Sequence, residues 1–304
     1  MNDLIDKLRE AIFKPSLQAQ QAQENWIKNY PQKQGWKQNS DGSYDVKGSV
    51  NIDRQGWTKI PWTFRRVGGK FYCNNNQLTT LEGAPQYVGG SFYCSSNQLT
   101  SLKGAPQHVG GNFYCYNNQL ISLEGAPQQV DGDFSCTNNQ LITLEGAPQK
   151  VGGYFSCENN QLTSLKGAPQ HVGVYFSCDK NQLTSLKGAP QYVGGYFFRD
   201  SHSLTTSTGV PQQVGITFSC ISNQLTTLEG APQYVDGDFY CSNNQLTTLK
   251  GAPQYVGGSF YCRYNQLTSL QDAPQHVGGN FYCGKNLVPS QRLKTTVKRE
   301  YLQE

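Results

Sequence analysis

Valine returns every 21 residues along this chain, from Val67 through Val88, Val109, Val130, Val151, Val172, Val193, Val214, Val235 and Val256 to Val277. A fixed period of this length marks an array in which each unit stacks on the next to bury one continuous core. The register extends backwards: Val46, Val50, Ile52, Trp57 and Ile60 fill the apolar positions of a degenerate first coil. Twelve coils are therefore expected over 46–289, the last one partial, with its register running on to about Val297.

One unit, VGGSFYCSSNQLTSLKGAPQH at 88–108, gives the internal pattern, counted from its valine. Position five is phenylalanine in every coil after the first, and position seven is cysteine in all but two. Position three, usually glycine, becomes Val174 and Ile216, while position two varies to Lys47, Asp131 and Asp236. This period of two predicts a strand over positions one to seven with its odd positions facing inward. The remainder, Asn-Gln-Leu-x-x-Leu followed by Gly-Ala-Pro, predicts a tight return whose two leucines fill the core from the far side. With 32 glycines and only 15% charged residues, the composition suits such an array better than a single globular core.

A solenoid needs covered ends. Leu4, Ile5, Leu8 and Ile12 lie at helical spacing, Pro15 breaks the run, and Ser16 can cap a second helix bearing Ala19, Ala22, Trp26 and Tyr30. Residues 1–45 are thus expected to form a helical cap, with a lead-in strand at 43–46 after a turn at Asp41-Gly42. At the far end, Ser290 can start a helix with Leu293, Val297 and Tyr301 on one stripe, so 290–304 is expected to cap the array as a helix.

Phe92, Cys94, Asn97, Leu99 and Leu102 form Phe-x-Cys-x-x-Asn-x-Leu-x-x-Leu, which resembles the leucine-rich repeat consensus. The Leu-Thr-Ser-Leu and proline-bearing return resembles the short bacterial class found in type III-secreted effectors, and the near-identical copies resemble arrays of tailed bacteriophages. The resemblance implies a solenoid with a parallel sheet on one face, mostly irregular return segments and caps at both ends. Two departures stand out. This chain has three residues, against two in the bacterial pattern, before the first core residue of the strand, so the strand is either lengthened or kinked at glycine. Effectors that are ubiquitin ligases carry a catalytic domain after the array, and none is expected here.

The repeated cysteines invite a search for chemistry. As an inward column, about 4.8 Å apart, they are expected to act as small buried hydrophobes, and Ile52 stands in for one of them. Parallel strands point neighbouring Cβ atoms the same way, which suits a disulfide poorly. No paired C-x-x-C spacing or histidine set indicates zinc, and no cofactor or metal is expected. The asparagine column from Asn76 to Asn265 is expected to hydrogen-bond the bends of its own and neighbouring coils. His108, His171 and His276 share position twenty-one, several coils apart, and are expected to be ordinary surface residues.

Function is expected in what varies outward. Positions four, six and eight form three columns on the sheet face, expected to be concave. Tyr114, Tyr240 and Tyr261 stand in column six, Tyr154, Tyr175 and Tyr196 in column four, and Tyr116, Glu158, Asp179 and Asp200 in column eight. Bulk in one column tends to meet small residues in the next. The coil at 193–213 breaks the pattern most: Phe198, Arg199, His202 and Ser207 replace the usual residues, and a bulge is expected to turn Arg199 outward.

These residues predict a non-enzymatic scaffold that grips another protein through tyrosines and charge complementarity. The bacteriophage resemblance implies a host or defence factor as that partner. A structural or adhesive role is the alternative, binding glycans or assembling in a virion or cell-surface particle, and self-association through the tyrosines stays open. No Ser-His-Asp, Cys-His, paired-carboxylate or P-loop pattern points to an enzyme. With a net charge of +4 and few cations on the sheet, chiefly Lys70 and Arg263, nucleic acid is disfavoured. The start lacks a signal-peptide core, and no run approaches the ~20 apolar residues of a membrane span, so a cytoplasmic location is expected, in a host cell for a phage or effector protein.

Overall fold

The computed structural model describes residues 17–198, 204–211, 213–287 and 296–301. Eleven 21-residue steps separate Val46 from Val277, and the coils are joined by parallel pairing in strict register: Val88 opposes Val109, and Phe92 opposes Phe113. The architecture is a solenoid of stacked coils whose strands form one sheet, parallel except for its first strand pair.

Val67, Phe71, Cys73, Leu78 and Leu81 are fully buried, and their counterparts repeat the pattern in the coils that follow. Phenylalanines from Phe71 to Phe281 stack face to face, with centroids 5.1–5.7 Å apart. Burying each such ring contributes on the order of 2 kcal/mol. All ten cysteines are free and buried, and burial raises the thiols of Cys94 and Cys241 well above the ordinary value. In the regular coils an asparagine closes the bend. Asn97 Nδ2 donates to the carbonyls of Cys94 and of Cys73 one coil away, both at 3.0 Å, and its Oδ1 accepts the Leu78 amide at 3.0 Å.

The strand is not continuous over positions one to seven. In most coils it splits into two residues at twenty-one and one, such as Tyr87–Val88, and two at five and six, such as Phe92–Tyr93. The chain bends at the intervening glycines, which resets the alternation. Position three therefore points outward, and Val174 and Ile216 are 50% and 42% exposed, against the inward placement the period predicts. Position four explains where the split closes. Serine, asparagine and aspartate there accept the next coil's amide: Asp133 N donates to Asn112 Oδ1, and Tyr154 N to Asp133 Oδ1, both at 3.0 Å. Along Tyr154, Tyr175 and Tyr196 that column lacks such an acceptor, backbone takes over, and the strands lengthen to Tyr175–Ser177, Tyr196–Phe198 and Thr217–Ser219. Tyr196 N then donates to Val174 O at 2.8 Å.

The helix α1 (Leu17–Lys33) lies against the first coil, with Trp26 5.8 Å from the Trp57 ring. Trp26 and Tyr30 pack against Trp62 with centroids 6.1 and 5.4 Å away, and Trp62 Nε1 donates to Ile27 O at 3.0 Å. Strand β1 (Lys37–Gln38) pairs antiparallel with β2 (Tyr44–Val46), which joins the array in parallel beside Phe64–Val67. The expected turn between them is held by Asp41, whose Oδ1 accepts the Ser43 amide at 3.0 Å. The helix expected over residues 2–13 lies outside the described residues.

At the other end the expected helix gives way to a strand. Thr296–Tyr301 runs parallel to His276–Tyr282, with Val297 opposite Val277 and Tyr301 opposite Tyr282. The last coil presents a row of backbone donors and acceptors that a helix lid would leave unpaired, and β-branched Thr296 and Val297 favour the extended form. Residues 288–295, which include Ser290 and Leu293, lie outside the described residues.

Candidate protein-binding face

Residues at positions four, six and eight face away from the core, because their neighbours at five and seven are fixed inside it. Column six carries two tyrosine ladders. Tyr72 and Tyr93 stack at 4.7 Å, Tyr240 and Tyr261 at 4.4 Å, and Tyr261 and Tyr282 at 4.6 Å, with planes within 11°. At these spacings each ring covers its neighbour's face. What reaches solvent is ring edge and hydroxyl.

Between the ladders the bulk moves to column four, as the sequence pattern predicts. Tyr154 leans across a coil whose column six holds Ser135, and its hydroxyl donates to that of Tyr114 at 3.1 Å. Tyr114 also receives Asn112 Nδ2 at 2.8 Å and donates to Asp133 Oδ2 at 3.1 Å. Burial, then the neighbouring tyrosine and the Asp133 carboxylate, push the Tyr114 hydroxyl up. Tyr116 lies 6.1 Å from the Tyr114 ring and is exposed, so these three predicted residues form one cluster. Further along, Glu158 accepts a hydrogen bond from the Ser177 hydroxyl. The half-buried Tyr175 hydroxyl is raised by burial, reinforced by the Glu158 and Asp179 carboxylates.

Tyr196 is 37% exposed and stands at the rim of a cleft of about 490 Å³. Its floor is Thr217 and Ser219, its ends are Ile216 and Ile221, and Asp238 with Tyr240 forms the opposite wall. Small residues at positions four and six of one coil, between aromatic neighbours, create this notch. Tyr196 and Tyr240 were legible as surface residues. Ile216 stands outward here against the inward placement its period predicts, and two small residues side by side in the aromatic columns are a readable signal of the floor. Tyr240 donates to Asp238 Oδ2 at 3.1 Å, and burial together with that carboxylate raises its hydroxyl. The Phe198 backbone pairs with Ser177 and Ser219. Arg199, Asp200 and His202, with the bulge expected there, lie outside the described residues, while Ser207 is buried in the leucine column.

Position twenty-one forms a further aromatic column, in which the histidines expected there are joined by tyrosines. The Arg66 guanidinium lies 4.0 Å over the Tyr87 ring, and Tyr87 stacks on His108 at 4.8 Å. The arrangement recurs eight coils on, where Tyr234 stacks on Tyr255 at 5.4 Å and Tyr255 on His276 at 4.9 Å. His108, His171 and His276 are on the surface as expected, but each packs against a tyrosine of an adjacent coil. Among the described residues, no group of three or more His, Cys, Asp or Glu side chains could hold a metal ion. No helix among them is long and apolar enough to cross a membrane.

No protein-family model matches this sequence, and no curated protein matches it. Among solved structures the fold is similar to YopM of Yersinia enterocolitica, at 18% identity and a TM-score of 0.46. The similarity covers 84% of this chain and 64% of that one, so the match spans less than two thirds of that protein. YopM of Yersinia pestis, described as a leucine-rich effector protein, is similar at 18% identity and a TM-score of 0.45, over 84% of each chain.

Proposed function

We propose that this protein is a non-enzymatic scaffold that holds a partner protein against its sheet face, chiefly between Tyr114 and Tyr261. The observation that carries this reading is the orientation of the column-six tyrosines: in the pairs Tyr72–Tyr93, Tyr240–Tyr261 and Tyr261–Tyr282 ring faces are spent on one another, which leaves ring edges outward. Such a surface offers directional hydrogen bonds on a rigid apolar support, the chemistry of protein interfaces. Sugar platforms need open ring faces, and the stacking weighs against the glycan alternative. Acidic Glu158 and Asp179 beside Tyr154, Tyr175 and Tyr196 favour a partner with a basic contact patch. A host or defence factor is the proposed partner class, met in a cytoplasm.

Capture from host lysate, with the retained proteins identified by mass spectrometry, tests this directly. The chain is expected to retain a specific protein, and Tyr154→Ala combined with Tyr175→Ala is expected to weaken that capture at least tenfold with the fold intact. Equal capture by the variant would remove this face from consideration.

A further inference from the structure

We infer that the cleft between Tyr196 and Tyr240 is an anchor site for an extended basic segment of the partner, taking one bulky apolar side chain with a lysine or arginine next to it. This rests on the scaffold reading and names the chemistry of what is held.

The argument starts from shape. Strands in a sheet lie about 4.8 Å apart, so leaving Thr217 and Ser219 in one coil between taller neighbours opens a slot about two strand spacings wide. A volume of about 490 Å³ is ample for a single aromatic or branched side chain. The walls select its character. Ile216, 42% exposed, and Ile221 close the two ends with hydrocarbon, and Tyr196 and Tyr240 supply the sides. Buried apolar slots ringed by aromatic residues are where interface residues contribute most.

Charge then selects its neighbour. Asp238 lines the slot, and Asp236 is exposed two residues earlier on the same coil. Asp238 spends one oxygen on the Ser259 amide, at 2.6 Å, and the other on the Tyr240 hydroxyl, so it is held at the wall by two donors. Among the described residues, the outward columns from Tyr192 to Tyr261 carry these two carboxylates, and Arg263, next along the last of these coils, is turned over the Tyr282 ring. A ligand that inserts an apolar side chain here meets the Asp238 carboxylate at the wall and Asp236 nearby, and a cation beside that side chain matches them. The flanking strands run parallel to the slot, which favours an extended segment lying along it.

Methyl NMR of the full chain, labelled at the isoleucine δ1 position, reads the site because Ile216 and Ile221 sit at its two ends. The probes are three blocked dipeptides: N-acetyl-Phe-Arg-amide, N-acetyl-Phe-Glu-amide and N-acetyl-Gly-Arg-amide. The expected result is saturable shifts of Ile216 and Ile221 with the first probe, at a dissociation constant of about 1 mM, and binding roughly five- to tenfold weaker with the other two. Ile121 and Ile142, exposed on the return side of the coils, stay unmoved. Ser219→Tyr gives this coil the side chain that the next coil carries at position six, Tyr240, so it fills the slot within the fold's own pattern and abolishes the shifts. Equal binding of the Phe-Glu probe, shifts that survive Ser219→Tyr, or the absence of shifts at Ile216 and Ile221 would each overturn the assignment. Partner capture separates the two readings. Capture lost in the Tyr154→Ala, Tyr175→Ala protein but intact in Ser219→Tyr retains the scaffold and discards the cleft.

Discussion

At the scale of single residues, the strongest constraint is the asparagine at position ten. Asn118 Nδ2 donates to Cys94 O and Cys115 O at 3.1 Å, and its Oδ1 accepts the Leu99 amide at 3.0 Å. Asn118→Ala strands those buried backbone groups, each worth about 1–3 kcal/mol when unpaired, and is expected to cost about 3 kcal/mol in urea denaturation. A loss below about 1 kcal/mol would mean the bend holds itself. The thiols give a pH signature. Burial raises Cys73, Cys94, Cys115, Cys157, Cys241 and Cys262 well above the ordinary 9.0. The unfolded chain releases these protons above about pH 9 while the folded chain keeps them, so this stability is complete below pH 9 and lost as pH rises towards the folded values. Each thiol contributes a slope of about 1.4 kcal/mol per pH unit there, and the urea midpoint is expected to fall steeply between about pH 8.5 and pH 10. A midpoint that stays level would contradict the dry cysteine column. Both columns were legible in the sequence because identity at a fixed period leaves few other roles. Position twenty-one was not, because its tyrosines, histidines and glutamines differ in type and share only their place in the stack.

At the scale of the coil, the geometry of each bend matters more than propensity. Gly125 has φ +94°, and an added Cβ would lie 2.6 Å from Leu102 C. Gly125→Ala is expected to cost at least about 2 kcal/mol, whereas Gly48→Ala, with open space around it, should stay within about 0.5 kcal/mol. Comparable losses at both sites would refute the close approach. A residue with a side chain at position two loosens the stack measurably: Asp131 N reaches Val109 O at 3.4 Å, while Gly89 N reaches Val67 O at 2.9 Å. The sequence pattern left the strand either lengthened or kinked at glycine, and the kink is what forms. It misplaced position three, because a period of two cannot register a bend that resets its phase. It also gave a helix for the chain end, because a stripe of Leu293, Val297 and Tyr301 fits helical spacing while the pull of an open sheet edge is invisible until that edge exists.

At the scale of the whole molecule, each coil touches chiefly its two neighbours, so the array works as a ruler on which outward residues are set in columns. Buried positions barely change along it, and most of the variation is confined to the surface. This division is the central claim, and footprinting of the native chain tests it most directly. Brief treatment with a thiol alkylator and, separately, a tyrosine-modifying reagent, each followed by mass spectrometry, reads both sides of the division at residue resolution. The exposed Tyr116, Tyr192, Tyr196, Tyr234 and Tyr264 are expected to be labelled while all ten cysteines stay silent until denaturant is added. Rapid labelling of the cysteine column with those tyrosines protected would contradict the account.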